Sequence, residues 1–262
     1  MELLTRYDDE LRGAVEFSSA RVVDRDGPVL RGVYSGGRGF IVHEPRGMDA
    51  LTASEVREHV DRAVKFVSEQ ECTEVEWKTR GHDACMSVLD EALRAAGFVA
   101  EEPESVMIGR AEELAVEAPL PDGVTVRRIT SEADVRAMCT MADIVFGDPP
   151  TDKIANELLH RMSLPGDEME LWVAELNGEI ICTGRLEPVP GTEFAGIWGG
   201  ATREDQRHRG IYRALTSARA KSALARGYSL IQSDSTEYSR PILERSGFVR
   251  VTTTTPYELT IR

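Results

Sequence analysis

The chain has little that would staple it together or tie it to a surface. Only four of its 262 residues are cysteine: Cys72, Cys85, Cys139 and Cys182. None stands in a Cys-x-x-Cys pair and no signal-peptide pattern precedes them, so reduced, partly buried thiols are expected rather than a disulfide framework. No apolar run approaches the ~20 residues that cross a bilayer. The first ten residues are polar and lack an apolar h-region. The expectation is a cytoplasmic protein with no membrane partner. Basic side chains are also short, at 31 Lys and Arg against 45 Asp and Glu, a formal net charge of −14. A general nucleic-acid binder wants a basic face, so no nucleic-acid partner is expected. The five histidines show no metal-ligand spacing with each other or with the cysteines, so no metal is expected.

What is present suits a globular fold. Hydrophobic residues make up 41% and charged residues 29%. That is enough for a proper core in one large domain or two small ones.

Against the acidic background one basic stretch stands out. A strand pattern from Glu193 to Thr202 ends in Trp198-Gly199-Gly200-Ala201-Thr202. Arg207-His208-Arg209-Gly210 follows, and then a helical pattern from Gly210 to about Arg226, with Gly227 as its C′ residue. The first N–H groups of a helix have no intrahelical partner and share the positive end of the helix dipole. A strand leading through a basic, glycine-containing turn into a helix start is therefore a device for holding phosphate. Gly210 lets backbone approach a ligand closely.

At these residues the chain resembles the GNAT superfamily of N-acetyltransferases. The family's acyl-CoA signature is Arg or Gln, two residues, Gly, one residue, then Gly or Ala. Arg207-His208-Arg209-Gly210-Ile211 matches it, and Tyr212 stands where the last small residue belongs. A second signature, a short helix ending in Gly-Phe, resembles Tyr238 to Phe248. The resemblance implies an α+β fold, a mixed and mostly antiparallel sheet flanked by helices.

The rest of the second half has the family's order. Val124–Ile129 alternates like a strand, Ser131 caps a helix through about Phe146, and Thr151 caps another to about Met162. Glu170–Leu176 and Glu179–Glu187 read as a hairpin around Asn177-Gly178. Tyr228–Gln232 reads as a buried strand, and two closing strands are expected after Gly247. Ala111–Gly123, with two prolines and several acids, reads as a joint.

The first half echoes the second. Gly97-Phe98-Val99 recurs 150 residues later as Gly247-Phe248-Val249, and Leu93 recurs as Leu243. We read two tandem GNAT-like domains. A degenerate one spans 1–115, and an acetyl-CoA-binding one spans 124–262. The first has no phosphate turn: acids Glu44, Asp49 and Glu55 stand where the turn would be. Ser35-Gly36-Gly37-Arg38-Gly39 precedes a strand rather than a helix and reads as a hairpin turn.

The resemblance implies acetyl-CoA as co-substrate. Its pyrophosphate would lie on the backbone of Arg207, His208, Arg209, Gly210, Ile211 and Tyr212, with Arg213 nearby. Its pantetheine arm would pair with Gly200, Ala201 and Thr202 like an added strand. Ser239 would sit at the thiol end. Glu193 is the candidate base. Leu243 occupies the family's tyrosine position, so the candidate acid is Tyr238, with Tyr257 or water as the alternatives. Tyr212 either lies back on the helix or crosses the cofactor. The implied function is acetyl transfer from acetyl-CoA to a primary amine by direct attack in a ternary complex. The acceptor is expected to be a small-molecule amine or a protein N-terminus. The alternative is a non-catalytic acyl-CoA-binding sensor or regulatory module. No Gly-x-x-x-x-Gly-Lys-Ser/Thr motif favours a nucleotide binder.

Overall fold

The computed structural model describes residues 2–261. In chain order it runs α1 (Glu2–Leu11), β1 (Val22–Asp26), β2 (Val29–Val33), β3 (Arg38–His43), α2 (Ala53–Glu69), β4 (Glu74–Arg80), α3 (Met86–Ala95), β5 (Val99–Ala100) and β6 (Glu104–Arg110). Then come α4 (Ala111–Leu114), β7 (Val124–Ile129), α5 (Glu132–Phe146), α6 (Lys153–Ser163), β8 (Glu170–Leu176), β9 (Glu179–Pro188) and β10 (Phe194–Thr202). The chain closes with α7 (Ile211–Ala225), β11 (Leu230–Ser235), α8 (Arg240–Arg245) and β12 (Val249–Thr260). This is the expected α+β fold. Among the described residues no helix is long and apolar enough to cross a membrane.

The chain forms two compact units. The first takes the chain up to Met107, Asp234–Pro241 and everything from Arg250 on; the second takes Ile108–Ser233 and Ile242–Val249. The division is not a single cut between 115 and 124. The last strand of the chain, β12, completes the first unit by pairing antiparallel with β4, from Thr254↔Arg80 to Thr260↔Glu74. It is one strand, not the two expected: Pro256 lies within it, yet the ladder to β4 runs on through Pro256↔Lys78.

In the first unit β1, β2 and β3 form an antiparallel meander, and β3 pairs parallel with β4 after the α2 crossover. The 3₁₀ turn Ser35–Gly37 joins β2 to β3 with Gly36 and Gly37 at φ 76° and 78°, the expected hairpin turn. Trp77, Leu89, Leu93, Phe98 and Tyr257 build the core with Val56 and Val60 of α2.

In the second unit β7, β8, β9 and β10 form an antiparallel meander, and β10 pairs parallel with β11 after the α7 crossover. Asn177 and Gly178 turn the β8–β9 hairpin at φ 53° and 82°, the two positive values a type I′ turn needs. Leu171 and Val173 face Val135, Met138, Cys139 and Leu158 of α5 and α6. The other sheet face, with Ala174 and Cys182, packs on Ile211 and Leu215 of α7. That helix is buried on more than one face: Thr216, Ser217 and Arg219 are buried as well as Ile211 and Leu215, while Ala225 is exposed.

The expected joint is folded structure. Ala111 and Leu114 are buried, α4 packs on α7, and the Ser217 hydroxyl donates to the Val116 carbonyl. The two Gly-Phe turns share one geometry. Phe98 N–H donates to Leu93 O at 3.0 Å and Phe248 N–H to Leu243 O at 3.1 Å, with Gly97 and Gly247 at φ 93° and 106°. Backbone closure of this kind satisfies the last helical carbonyls and explains why glycine precedes each phenylalanine.

Candidate functional site

The site grows from an irregularity in β10. Its parallel ladder with β11 covers only Phe194↔Leu230 to Gly196↔Gln232, so the two strands diverge after Gly196. Its antiparallel ladder with β9 runs to Trp198↔Arg185, skips Gly199 and Gly200, and resumes at Ala201↔Thr183. Gly199 sits at φ 61°, which favours glycine, and the buried Thr183 hydroxyl donates to its carbonyl at 3.2 Å. Gly199 and Gly200 are exposed. The bulge and the divergence together leave a short run of backbone outside both ladders.

Beyond Thr202 a 3₁₀ turn, Glu204–Gln206, leads into the basic turn. Arg207 reaches back and donates from Nε to the Thr202 carbonyl at 3.2 Å. Arg209 is bonded to Gln206. His208 at φ 62° and Gly210 at φ 77° are both left-handed, which swings the chain into α7. Gly210 is the N-cap and offers no side chain, and no acid stands in the first turn. The N–H groups of Ile211, Tyr212 and Arg213 therefore lack intrahelical acceptors. The side chains of His208 and Arg213 have no partner among the described residues, and both are exposed. A Cβ on Gly210 would meet only the Pro119 carbonyl, 3.9 Å away, so φ rather than crowding fixes this glycine.

Tyr212 lies back on the sheet. A Cβ on Gly200 would stand 2.7 Å from the Tyr212 ring, so Gly200 makes room for it. The ring also packs 5.7 Å from the Arg219 guanidinium. Arg219 is fully buried, donating to the carbonyls of Leu215 and Arg185 and to Thr216 Oγ1. Its Nη1 occupies the space a Cβ on Gly184 would need. Ala201 is buried and Thr202 Oγ1 lies 3.1 Å from Cys182 Sγ. All four cysteines are buried free thiols whose pKa burial pushes up, Cys85 to about 11.

The turn and bulge residues are thus gathered in the second unit, and within that unit Glu193 is not brought to them. Glu193 precedes β10 at the end far from the turn; at roughly 3.3 Å per residue the strand carries it well away from Thr202. Its carboxylate is held by the Ser229 hydroxyl. Tyr238 and Ser239 fall in the segment Asp234–Pro241 of the first unit, where Tyr238 is 93% exposed and Ser239 bonds to Thr236. Leu243 is buried and supplies no acid. Among the described residues no group of three or more His, Cys, Asp and Glu is placed to hold a metal ion.

Residues 137–248 match the acetyltransferase (GNAT) family. This part of the chain is similar to GNAT domains. It contains the diverging strands, the basic turn and α7. Comparison with curated protein sequences finds no match. Among solved structures the chain is similar to a GCN5-related N-acetyltransferase from Kribbella flavida, with 14% identity, TM-score 0.72, and 98% of this chain and 94% of that one covered. A GCN5-related N-acetyltransferase from Sphaerobacter thermophilus gives 17% identity, TM-score 0.66, and 90% and 77%. A tandem GNAT protein from the clavulanic acid biosynthesis pathway gives 12% identity, TM-score 0.65, and 99% and 95%. At these identities the likeness is one of fold.

The corresponding place in the first unit is closed by its own side chains. Thr52 Oγ1 accepts the Glu55 N–H, and the Glu55 carboxylate accepts the Thr52 N–H at 2.8 Å, a capping box that occupies the start of α2. Beyond the parallel pairs of β3 and β4, Arg12 donates to the His43 carbonyl and bidentately to Asp83, while Arg80 binds Tyr7 and Glu16. Sequence reading missed this buried ionic filling because its members come from three separated stretches, around residues 7–16, 43 and 80–83, and nothing in their spacing ties them together.

Proposed function

We propose that this GNAT-like domain binds acetyl-CoA and transfers its acetyl group to a primary amine by direct attack. The observation that carries this reading is the uncapped start of α7 together with the Gly199–Gly200 bulge, which lies outside both ladders. The α7 N–H groups and the side chains of Arg207, His208, Arg209 and Arg213 suit a pyrophosphate, since no acid stands in that turn of the helix. Ala201 and Thr202 continue the strand on which a pantetheine amide would pair. The co-substrate supplies a thioester. A backbone N–H at the bulge would polarise its carbonyl and hold the developing oxyanion. Neither Glu193 nor Leu243 stands at this place, so water takes the proton that the attacking amine loses and protonates the departing thiolate.

The capping box and the Arg12 and Arg80 filling support one acyl-CoA site per chain. The second reading, a non-catalytic acyl-CoA binder, is favoured by the buried Leu243 at the acid position. A cytoplasmic enzyme acting on a small amine remains the reading adopted, with a protein N-terminus as the other acceptor class.

Calorimetric titration of acetyl-CoA, followed by thiol release with amines, tests this. One equivalent per chain with turnover supports the transferase. One equivalent without turnover on any amine favours the sensor. No binding overturns both.

A further inference from the structure

The sheet face that α7 does not cover carries an unassigned pair of donors. Arg185 of β9 and Trp198 of β10 are directly paired, so both side chains point to the α5/α6 side. The Arg185 guanidinium lies beside the bulge: a Cβ on Gly199 would be 3.7 Å from Nε and 3.9 Å from Cζ. That Nε is buried and makes no hydrogen bond. It is ion-paired with Glu187 Oε1 at 3.2 Å, and the other oxygen of Glu187 is taken by Arg161 Nη1 at 2.9 Å. Neither terminal nitrogen of Arg185 has a partner among the described residues, and a quarter of the side chain is exposed. The Trp198 indole folds over Gly196, its Nε1 2.4 Å from the position of the missing Cβ. Gly196 is the last residue of β10 paired to β11, so this N–H stands where the two strands part. It has no acceptor among the described residues.

A guanidinium fork and an indole N–H converging on the point of strand divergence match a planar anion. Glu187 beside them disfavours a dianion and complements a positive group. We infer that Arg185 and Trp198 bind the carboxylate of a short zwitterionic acceptor, a small amine that also carries a carboxylate. This rests on the transferase reading proposed above. The acceptor side is assigned because α7 covers the opposite face, where its start is free for phosphate.

The test compares matched acceptors that differ only in the carboxylate: alanine with ethylamine, and 4-aminobutanoate with propylamine. Each is measured for kcat/KM with acetyl-CoA and, without acetyl-CoA, for binding by calorimetry. The carboxylate member of at least one pair should be favoured at least tenfold. Arg185→Gln should bring that ratio near one while the acetyl-CoA Kd is unchanged. Arg185→Lys, which keeps the charge but not the fork, and Trp198→Phe should each give intermediate ratios. Equal or better use of the plain amines, or a ratio unchanged in Arg185→Gln, overturns the inference. So does a preference for succinyl-CoA over acetyl-CoA that Arg185→Gln removes, since the carboxylate would then belong to the acyl group. If acetyl-CoA fails to bind yet 4-aminobutanoate or alanine binds and Arg185→Gln abolishes it, the carboxylate site stands and the transferase reading falls. If no carboxylate amine binds and none is used, the inference falls alone.

Discussion

The Tyr212 hydroxyl lies 2.8 Å from where a Cβ on Gly200 would stand. The family's small residue and this chain's tyrosine thus differ by a ring that occupies the sheet side of the α7 start. Gly200→Ala should force that ring aside and cost about 1 kcal/mol. Tyr212→Ala should relieve the clash, so the double variant should recover most of the loss. A denaturant double-mutant cycle measures the coupling. Additive effects would mean that the ring does not rest on Gly200.

Gly210 offers a cleaner test of the phosphate turn. Asn and Asp both tolerate its left-handed backbone and would have the same open space. Gly210→Asn should keep acetyl-CoA binding within a few fold, while Gly210→Asp should lose it by more than tenfold, because only Asp places negative charge at the helix start. Calorimetry of the two folded variants decides. Equal affinities would remove the turn from the site.

Asp83 predicts an acid-sensitive first unit. Burial pushes its pKa up, but hydrogen bonds from His43 and Arg12 outweigh burial and leave it well below the usual carboxylate range. A depressed folded pKa contributes stability that is present above the unfolded value, about 4, and fades as pH falls toward the folded one. Stability should therefore drop below about pH 4. Asp83→Asn should flatten that acid limb while lowering stability at neutral pH by about 3 kcal/mol, since Arg12 stays buried with its partner neutralised. Urea midpoints from pH 2 to 7 would show it; an unchanged acid slope in the variant refutes the assignment.

Tyr257 ties the end of the chain to the first unit. It is buried, pairs across the ladder with Trp77, and its hydroxyl donates to Asp90. Tyr257→Ala should cost about 3 kcal/mol. The loss should appear as earlier exchange of amides in β4 and α3, with β7–β9 of the second unit protected as before. Uniform loss across both units would mean that they unfold as one.

Much of the site was legible because its signals are local. Gly210 and the arginines around it are neighbours in sequence, and a helix start needs only its own residues to create free N–H groups. Asn177-Gly178 fixed a hairpin for the same reason. The Glu193 assignment is not supported by the geometry because strand position alone does not say which end of a strand opens: the divergence after Gly196 depends on where β11 lies. Tyr238 lies one turn from the Leu243 position in sequence, yet it points to solvent in the first unit.

By itself the sequence determined the α+β order, the repeated Gly-Phe turn and the basic helix start. Each of these follows from backbone geometry within about ten residues. Tertiary structure decided which strand completes which sheet, how Tyr212 rests on Gly200, and that Arg185 meets Trp198. Those relations join residues far apart in the chain, and only packing and ladder register, not local propensity, select them.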